Sequence, residues 1–102
     1  MKIKSLFYSA AMVAVFISPQ LAADQVEAGR TVADVHCQAC HGANGISSAP
    51  TWPNLAGQKQ QYLIKQLNDF ASGKRPDPVM APIVDRLSEE DIAAVAAYYS
   101  SL

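Results

Sequence analysis

The segment VHCQACHG, Val35 to Gly42, places two cysteines and a histidine within five consecutive positions. These residues are Cys37, Cys40 and His41, in the spacing C-x-x-C-H. The sequence contains two cysteines in total, and both belong to this segment. The chemistry of this motif therefore determines what the remainder of the chain must fold around.

Several uses of the cysteine pair can be weighed. A disulfide between Cys37 and Cys40 would stabilise little, because the entropy that a bridge removes from the unfolded chain grows with loop length. A redox-active dithiol is the main alternative, but it normally follows a β-strand, and no strand alternation precedes Val35. A structural zinc ion needs four surrounding ligands, whereas the candidates from His36 to His41 are crowded into six residues. The motif therefore favours covalent haem attachment, with His41 as an iron ligand.

The first residues are typical of a secretory signal peptide. Two lysines precede an uncharged, largely apolar run over 6–17, and small residues end at Ala23 before a charged stretch. This run is shorter than the roughly 20 residues that span a bilayer. We therefore expect a signal peptide over 1–23, cleaved near Ala23, and a periplasmic domain over 24–102 without stable membrane insertion; a retained anchor is the alternative.

The remaining 79 residues are few for a self-sufficient hydrophobic core, so an additional stabilising group is expected. A covalently attached haem is a large apolar body that meets this need. Loss of the two N-terminal lysines leaves six basic residues against nine acidic ones, a net charge near −3. This balance argues against nucleic-acid binding, which depends on neutralising phosphates.

Met80 is the candidate for the second axial iron ligand. It is the only methionine of residues 24–102 and lies thirty-nine residues beyond His41. The surrounding stretch PDPVMAPIV, residues 76–84, lacks helical periodicity and predicts a rigid loop; filling a gap in the core is the alternative role. His36 adjoins the attachment segment and cannot readily reach the opposite face. A His/Met pair raises the reduction potential and leaves no open iron position, so the site would carry electrons.

Apolar spacing predicts an all-α fold of about four short helices around one haem, with no convincing strand. The first helix is expected to begin at Asp24, with Glu27 completing a capping box. A loop is expected over 42–57, followed by a second helix over 59–72 with Gly73 as its stop signal. The last helix is expected to follow Ser88, with Asp91 as its capping-box partner. Its inward-facing stripe is expected to be Ile92, Val95, Ala96 and Tyr99.

Taken together, these features resemble class I c-type cytochromes, the small monohaem bacterial electron carriers, over essentially all of 24–102. The resemblance rests on Gly29, CQACHG, WPNLAGQ, QYLIKQLNDFASGKR, Met80 and LSEEDIAAVAAYYSSL. The later stretches are similar to one half of the tandem dihaem periplasmic cytochromes. Because one C-x-x-C-H is present, we expect a single unit with one covalently attached haem c and its iron. The resemblance also implies that Gly29 meets the last helix near Val95 or Tyr98.

The resemblance implies roles for two further residues. The carbonyl of Pro53 would accept a hydrogen bond from the unligated nitrogen of His41 and fix the orientation of its ring. Leu55 would pack on the haem. Candidate partners of the haem propionates, which follow from no matched motif, are Trp52, Tyr62 and Arg75.

We expect a periplasmic electron carrier, not an enzyme, that passes single electrons between a membrane complex or dehydrogenase and an oxidase or reductase. A monomer or weak dimer is expected. The predicted docking surface is an apolar patch at the haem edge, formed by Ala39, Ile46, Ala81 and Ile83. Two alternatives stay open: an electron-transfer subunit of an enzyme complex such as a flavoprotein dehydrogenase, and a ligand-binding haem sensor whose Met80 bond is labile.

Overall fold

The computed structural model describes residues 4–5, 9–14 and 18–102, so part of the predicted signal peptide lies outside the described residues. Within them the chain forms five α-helices and no β-strand, which confirms the all-α class with one helix more than expected. No described helix is both long enough and apolar enough to cross a membrane. In chain order the helices are α1 (Pro19–His36), α2 (Gln38–His41), α3 (Gln60–Ser72), α4 (Met80–Val84) and α5 (Glu89–Ser100).

Helix α1 begins earlier than the sequence predicted. Its N-cap is Ser18, whose hydroxyl accepts a hydrogen bond from the backbone N–H of Leu21 at 3.2 Å, and Pro19 occupies the first helical position. Proline is favoured there because the first helical N–H groups have no intrahelical acceptor. The predicted cap at Asp24 is therefore wrong for the full chain, and the Glu27 carboxylate pairs with Arg30 instead of forming a capping box.

Two predictions that rest on local sequence signals, the end of α3 and the start of α5, are confirmed. Helix α3 ends where Gly73 adopts a left-handed conformation, with φ of 81°, which favours glycine. Helix α5 begins with a reciprocal capping box between Ser88 and Asp91, whose two hydrogen bonds both measure 3.0 Å. These local interactions fix the ends of the helices independently of the packing between them.

Helix α5 lies at the centre of the core and packs against both α1 and α3. At its crossing with α1, a Cβ atom on Gly29 would lie 1.9 Å from the carbonyl oxygen of Ala94 and 2.8 Å from the Cβ of Tyr98. The expected contact with Tyr98 is present, whereas Ala94 takes the place expected for Val95. Because the nearest atom belongs to the backbone, this approach of α1 to α5 requires glycine.

Buried side chains form two clusters that border one cleft. The first cluster is Ala33, Leu63, Val95, Ala96, Tyr98 and Tyr99, and the second is Phe70, Val84 and Ile92. The helix stripe expected to face inward on α5 is buried as predicted. The second cluster also brings α4 against α3, which places the Met80 segment at the edge of the cleft.

The loop predicted around Met80 is wrong, because Met80 is the first residue of α4. The prolines that suggested a loop are compatible with a helix start. Pro76 and Pro78 precede α4, and Pro82 lies within its first turn, where a backbone N–H has no required intrahelical acceptor. Proline content alone therefore misidentified a short helix as an extended loop.

Candidate haem site

A cleft of about 410 Å³ lies between the C-x-x-C-H segment, the 42–57 loop and helices α3, α4 and α5. Its wall is largely apolar, with a few polar side chains. Both cysteines, His41 and Met80 line this one cleft. Other side chains that line it include Trp52, Pro53, Leu55, Tyr62, Leu63, Leu67, Phe70, Arg75, Ile83, Val95 and Tyr99.

The attachment segment is a single helical turn that directly follows α1. Cys37 leaves helical geometry, with φ of −120°, and its carbonyl oxygen then accepts hydrogen bonds from the N–H groups of Cys40 at 3.3 Å and His41 at 3.0 Å. Both cysteine side chains are half-buried. Burial raises the pKa of the Cys37 thiol to about 11. An α-helix, rather than the β-strand typical of redox dithiols, leads into this pair.

His41 is buried, and a backbone carbonyl determines its protonation pattern. Its Nδ1 atom lies 2.8 Å from the carbonyl oxygen of Pro53. A carbonyl oxygen can only accept, so Nδ1 carries the hydrogen and donates it, which leaves the lone pair on Nε2. The hydrogen bond that the resemblance implied is therefore present, and it prepares Nε2 as a metal ligand.

Two glycines return the chain from His41 to Pro53. Gly42 has φ of 86°, and a Cβ atom there would lie 2.0 Å from the carbonyl oxygen of Ile46. The carbonyl oxygen of Gly45 accepts hydrogen bonds from the N–H groups of Leu55 at 2.8 Å and Ala56 at 3.0 Å. The predicted loop over 42–57 is therefore an ordered return that positions Pro53 beside His41.

Met80 lies in a differently constructed part of the cleft. Its side chain is half-buried and packs against the cluster of Phe70, Val84 and Ile92. The Oδ1 atom of Asp77 accepts hydrogen bonds from the N–H groups of Val79 at 2.9 Å and Met80 at 2.8 Å.

These two donors hold the pKa of the Asp77 carboxyl below its usual range. No functional role for Asp77 was predicted from the sequence, although an Asp-Pro pair ahead of a helix is a helix-start signal.

The remaining predicted partners also line the cleft. Leu55 is half-buried, whereas Tyr62 and Trp52 are 48% and 43% exposed and lie at its rim. The Arg75 guanidinium donates to the Gln66 side-chain oxygen at 2.7 Å. Its central carbon lies 4.5 Å from the centre of the Phe70 ring. Arg75 is therefore already bonded within the protein.

Tyr99 also lines the cleft, and no role for its hydroxyl was predicted from the sequence. Its hydroxyl is buried and has no hydrogen-bond partner among the described residues. Burial raises the pKa of Tyr99. The Cys37 thiol lies close to this hydroxyl, so Tyr99 borders the attachment segment.

The donor set of the cleft fits haem rather than zinc. Within the part of the chain that the structure describes, no three or more His, Cys, Asp or Glu residues are grouped to hold a metal ion. Two thiols on one turn, an oriented imidazole, a thioether and apolar walls match the requirements of a covalently attached haem. The fold and the site together define a small all-α protein that holds haem c.

Residues 26–102 match the protein-family model described as Cytochrome c. The chain belongs to the cytochrome c family and carries covalently attached haem c with its iron.

Individual relatives agree with this assignment. The chain is 48% identical over 80 residues to cytochrome c4 of Pseudomonas aeruginosa, with 78% of this chain and 39% of that protein covered. The structure of cytochrome c4 from Acidithiobacillus ferrooxidans is similar with a TM-score of 0.70 at 32% identity, covering 76% of this chain and 49% of that one. Thiosulfate dehydrogenase from Marichromatium purpuratum is similar with a TM-score of 0.69 at 40% identity, covering 76% of this chain and 18% of that one. The chain thus spans less than half the length of the cytochrome c4 proteins that it matches.

Proposed function

We propose that this chain is a periplasmic carrier of single electrons with one His/Met-ligated haem. In this proposal Cys37 and Cys40 form the two thioethers, the Nε2 atom of His41 binds the iron from one side, and the sulfur of Met80 binds it from the other. The observation that carries the proposal is the convergence of all four side chains on one cleft. The single C-x-x-C-H motif of the sequence supports one haem in this chain.

The protein's own residues set the properties of the site. When bound, haem supplies a one-electron couple at its iron. The Pro53 carbonyl fixes the tautomer of His41 and increases the donor strength of Nε2. The Met80 thioether would hold the iron together with His41 and would raise its reduction potential, so the site would exchange electrons without binding a substrate at the iron. The apolar wall of Leu63, Phe70 and Val95 keeps water from the cofactor.

The proposed docking surface is the apolar rim of the cleft. Of the predicted residues, Ala39 and Ile46 are exposed, whereas Ala81 and Ile83 are half-buried. Of these four residues, Ile83 lines the cleft, as does Val79, which is 52% exposed. With a net charge near −3 over residues 24–102, contact with a redox partner through apolar atoms is favoured over steering by a positive field. Membrane complexes, dehydrogenases, oxidases and reductases are the proposed partner classes.

The similarity to thiosulfate dehydrogenase supports a second candidate function. In that case the chain would act as the electron-transfer subunit of an enzyme complex. Gentle purification from periplasm distinguishes the two functions, because a stable enzyme complex would co-purify with the chain and a free carrier would not. The same preparation tests the predicted cleavage: the mature protein should begin at or next to Asp24, measured by intact mass.

The decisive test of the proposal is spectroscopic. The exported ferric holoprotein should show the long-wavelength charge-transfer band of a Met–iron bond, and the ferrous protein should bind carbon monoxide poorly. Replacement of Met80 in M80A should abolish the band and open the site to carbon monoxide. The V79A variant is the matched control, because it removes a neighbouring exposed apolar side chain and leaves the band intact. Rapid carbon monoxide binding by the unaltered protein would instead favour the ligand-sensing alternative.

A further inference from the structure

We propose that Asp77 is the positioning residue for Met80. In this proposal its carboxylate caps the turn that leads into α4 and so keeps the Met80 side chain directed at the iron. The inference rests on the proposed ligation of iron by Met80. The exposed stretch that contains Asp77 would therefore keep the sixth coordination position of the iron occupied by Met80.

The backbone around Met80 donates three hydrogen bonds to Asp77. Asp77 Oδ1 accepts from the N–H groups of Val79 at 2.9 Å and Met80 at 2.8 Å. The Asp77 carbonyl oxygen accepts from the N–H of Ala81 at 3.1 Å. This is the pattern of a helix N-cap, in which one side-chain oxygen satisfies the first N–H groups that lack intrahelical acceptors. The cap therefore begins the helical turn before α4 and includes Met80 in it.

The residues on both sides of Asp77 restrict where Met80 can move. Pro76 and Pro78 fix φ on either side of the cap and contribute no N–H donors of their own. The preceding stretch is tied to α3, because the N–H of Arg75 donates to the Asp69 carbonyl oxygen at 3.0 Å and its guanidinium donates to Gln66. Asp77 is thus the connection between an anchored stretch and the helix that carries Met80.

Helix α4 depends on this cap because it is short. Five residues, Met80–Val84, are too few for a helix to be stable through its own hydrogen bonds. Packing of Val84 secures its far end, with 1% of that residue exposed, whereas Met80 at the near end is half-buried. Without the carboxylate, the N–H groups of Val79 and Met80 would lose their acceptor and be satisfied only if the turn opened to water.

Opening of this turn is measurable through a competing ligand. Imidazole can bind the ferric iron only when Met80 has left it, so the apparent affinity for imidazole is proportional to the population of the open form. Loss of a side-chain cap typically costs about 1 kcal/mol, which corresponds to an increase of about fivefold in that population. The D77A variant should therefore bind imidazole about fivefold more tightly than the unaltered protein.

The experiment is an imidazole titration of the ferric holoprotein, followed in its visible spectrum, for four proteins: unaltered, D77A, D77N and D85A. Asparagine caps about as well as aspartate, so D77N should keep the unaltered affinity although the charge is lost. D85A also removes one negative charge, but at the other end of α4. The Asp85 carboxylate makes no hydrogen bond in the described chain. The D85A variant should also leave the affinity unchanged.

The outcomes separate this inference from the proposed function. If the unaltered protein lacks the Met–iron band, both are overturned. If the band is present and D77A binds imidazole like the unaltered protein, or D85A binds it as tightly as D77A does, the positioning role of Asp77 alone is overturned.

A measurement on the unaltered holoprotein covers the case in which D77A yields no holoprotein. The amide hydrogens of Val79 and Met80 should exchange with solvent far more slowly than that of Ser48, which is exposed and has no amide hydrogen bond in the described chain. Equal exchange rates at the three positions would overturn the inference.

Discussion

The His41 side and the Met80 side of the cleft are held by different kinds of interaction. His41 is buried and is the last residue of the C-x-x-C-H motif. Its ring donates a hydrogen bond to the carbonyl oxygen of Pro53, twelve residues away. Met80 is half-buried, and its backbone N–H donates a hydrogen bond to the side chain of Asp77, three residues away. A short, exposed turn opens at a lower free energy than a buried contact. Conditions that destabilise the protein should therefore open the Met80 side of the cleft before the His41 side.

The largest effect should come from removing the attachment that both sides share. In the double variant C37S/C40S no thioether can form, and a chain of this size has little core without a bound group. We expect no haem that survives denaturing electrophoresis and loss of the native helical circular dichroism signal. Single C40S is the matched comparison, because it keeps one attachment point. Haem that remained covalently bound in the double variant would contradict the assignment of both cysteines.

Two glycine substitutions should distinguish the two sides directly. G42A on the His41 side combines a positive φ with an atom 2.0 Å from a backbone oxygen, whereas G73A before the Met80 segment has a positive φ and open space within 4 Å. A residue with a side chain costs about 1–2 kcal/mol in the left-handed region that Gly73 occupies. It costs about 1–3 kcal/mol at the φ of 86° and ψ of 154° of Gly42, which essentially only glycine adopts, and overpacking against backbone adds about 1–3 kcal/mol.

The free energy of unfolding should therefore fall by about 3 kcal/mol in G42A and by about 1 kcal/mol in G73A, measured by denaturant titration of the holoproteins. Equal losses would show that the return from Gly42 to Pro53 is not tightly packed.

The smallest effect on stability should come from removing the side-chain interactions that connect the Met80 segment to α3. R75A removes the hydrogen bond to Gln66 and the contact with the Phe70 ring. Both interactions are at an exposed residue, so we expect a loss of about 1 kcal/mol or less in the free energy of unfolding. R75K is the control that keeps the charge but loses the planar donor geometry. A loss larger than that of G42A would reverse the proposed ranking of the two sides.

Local signals explain which elements could be predicted from the sequence. The capping box of Ser88 and the stop at Gly73 depend on residues within one turn, and both are present as expected. The prediction that the first helix starts at Asp24 was wrong because Ser18 and Pro19 form a competing start signal upstream. The loop around Met80 failed because prolines near a helix start do not prevent the helix.

The sequence by itself determined the chemistry of haem attachment, because Cys37, Cys40 and His41 lie on a single helical turn and need no distant partner to be placed together. Only the tertiary structure brought Met80 to the cleft that His41 lines, set Tyr99 in its wall and turned the Pro53 carbonyl toward the imidazole. These placements depend on the packing of α5 against α1 and α3, and packing joins residues whose separation along the chain carries no local signal.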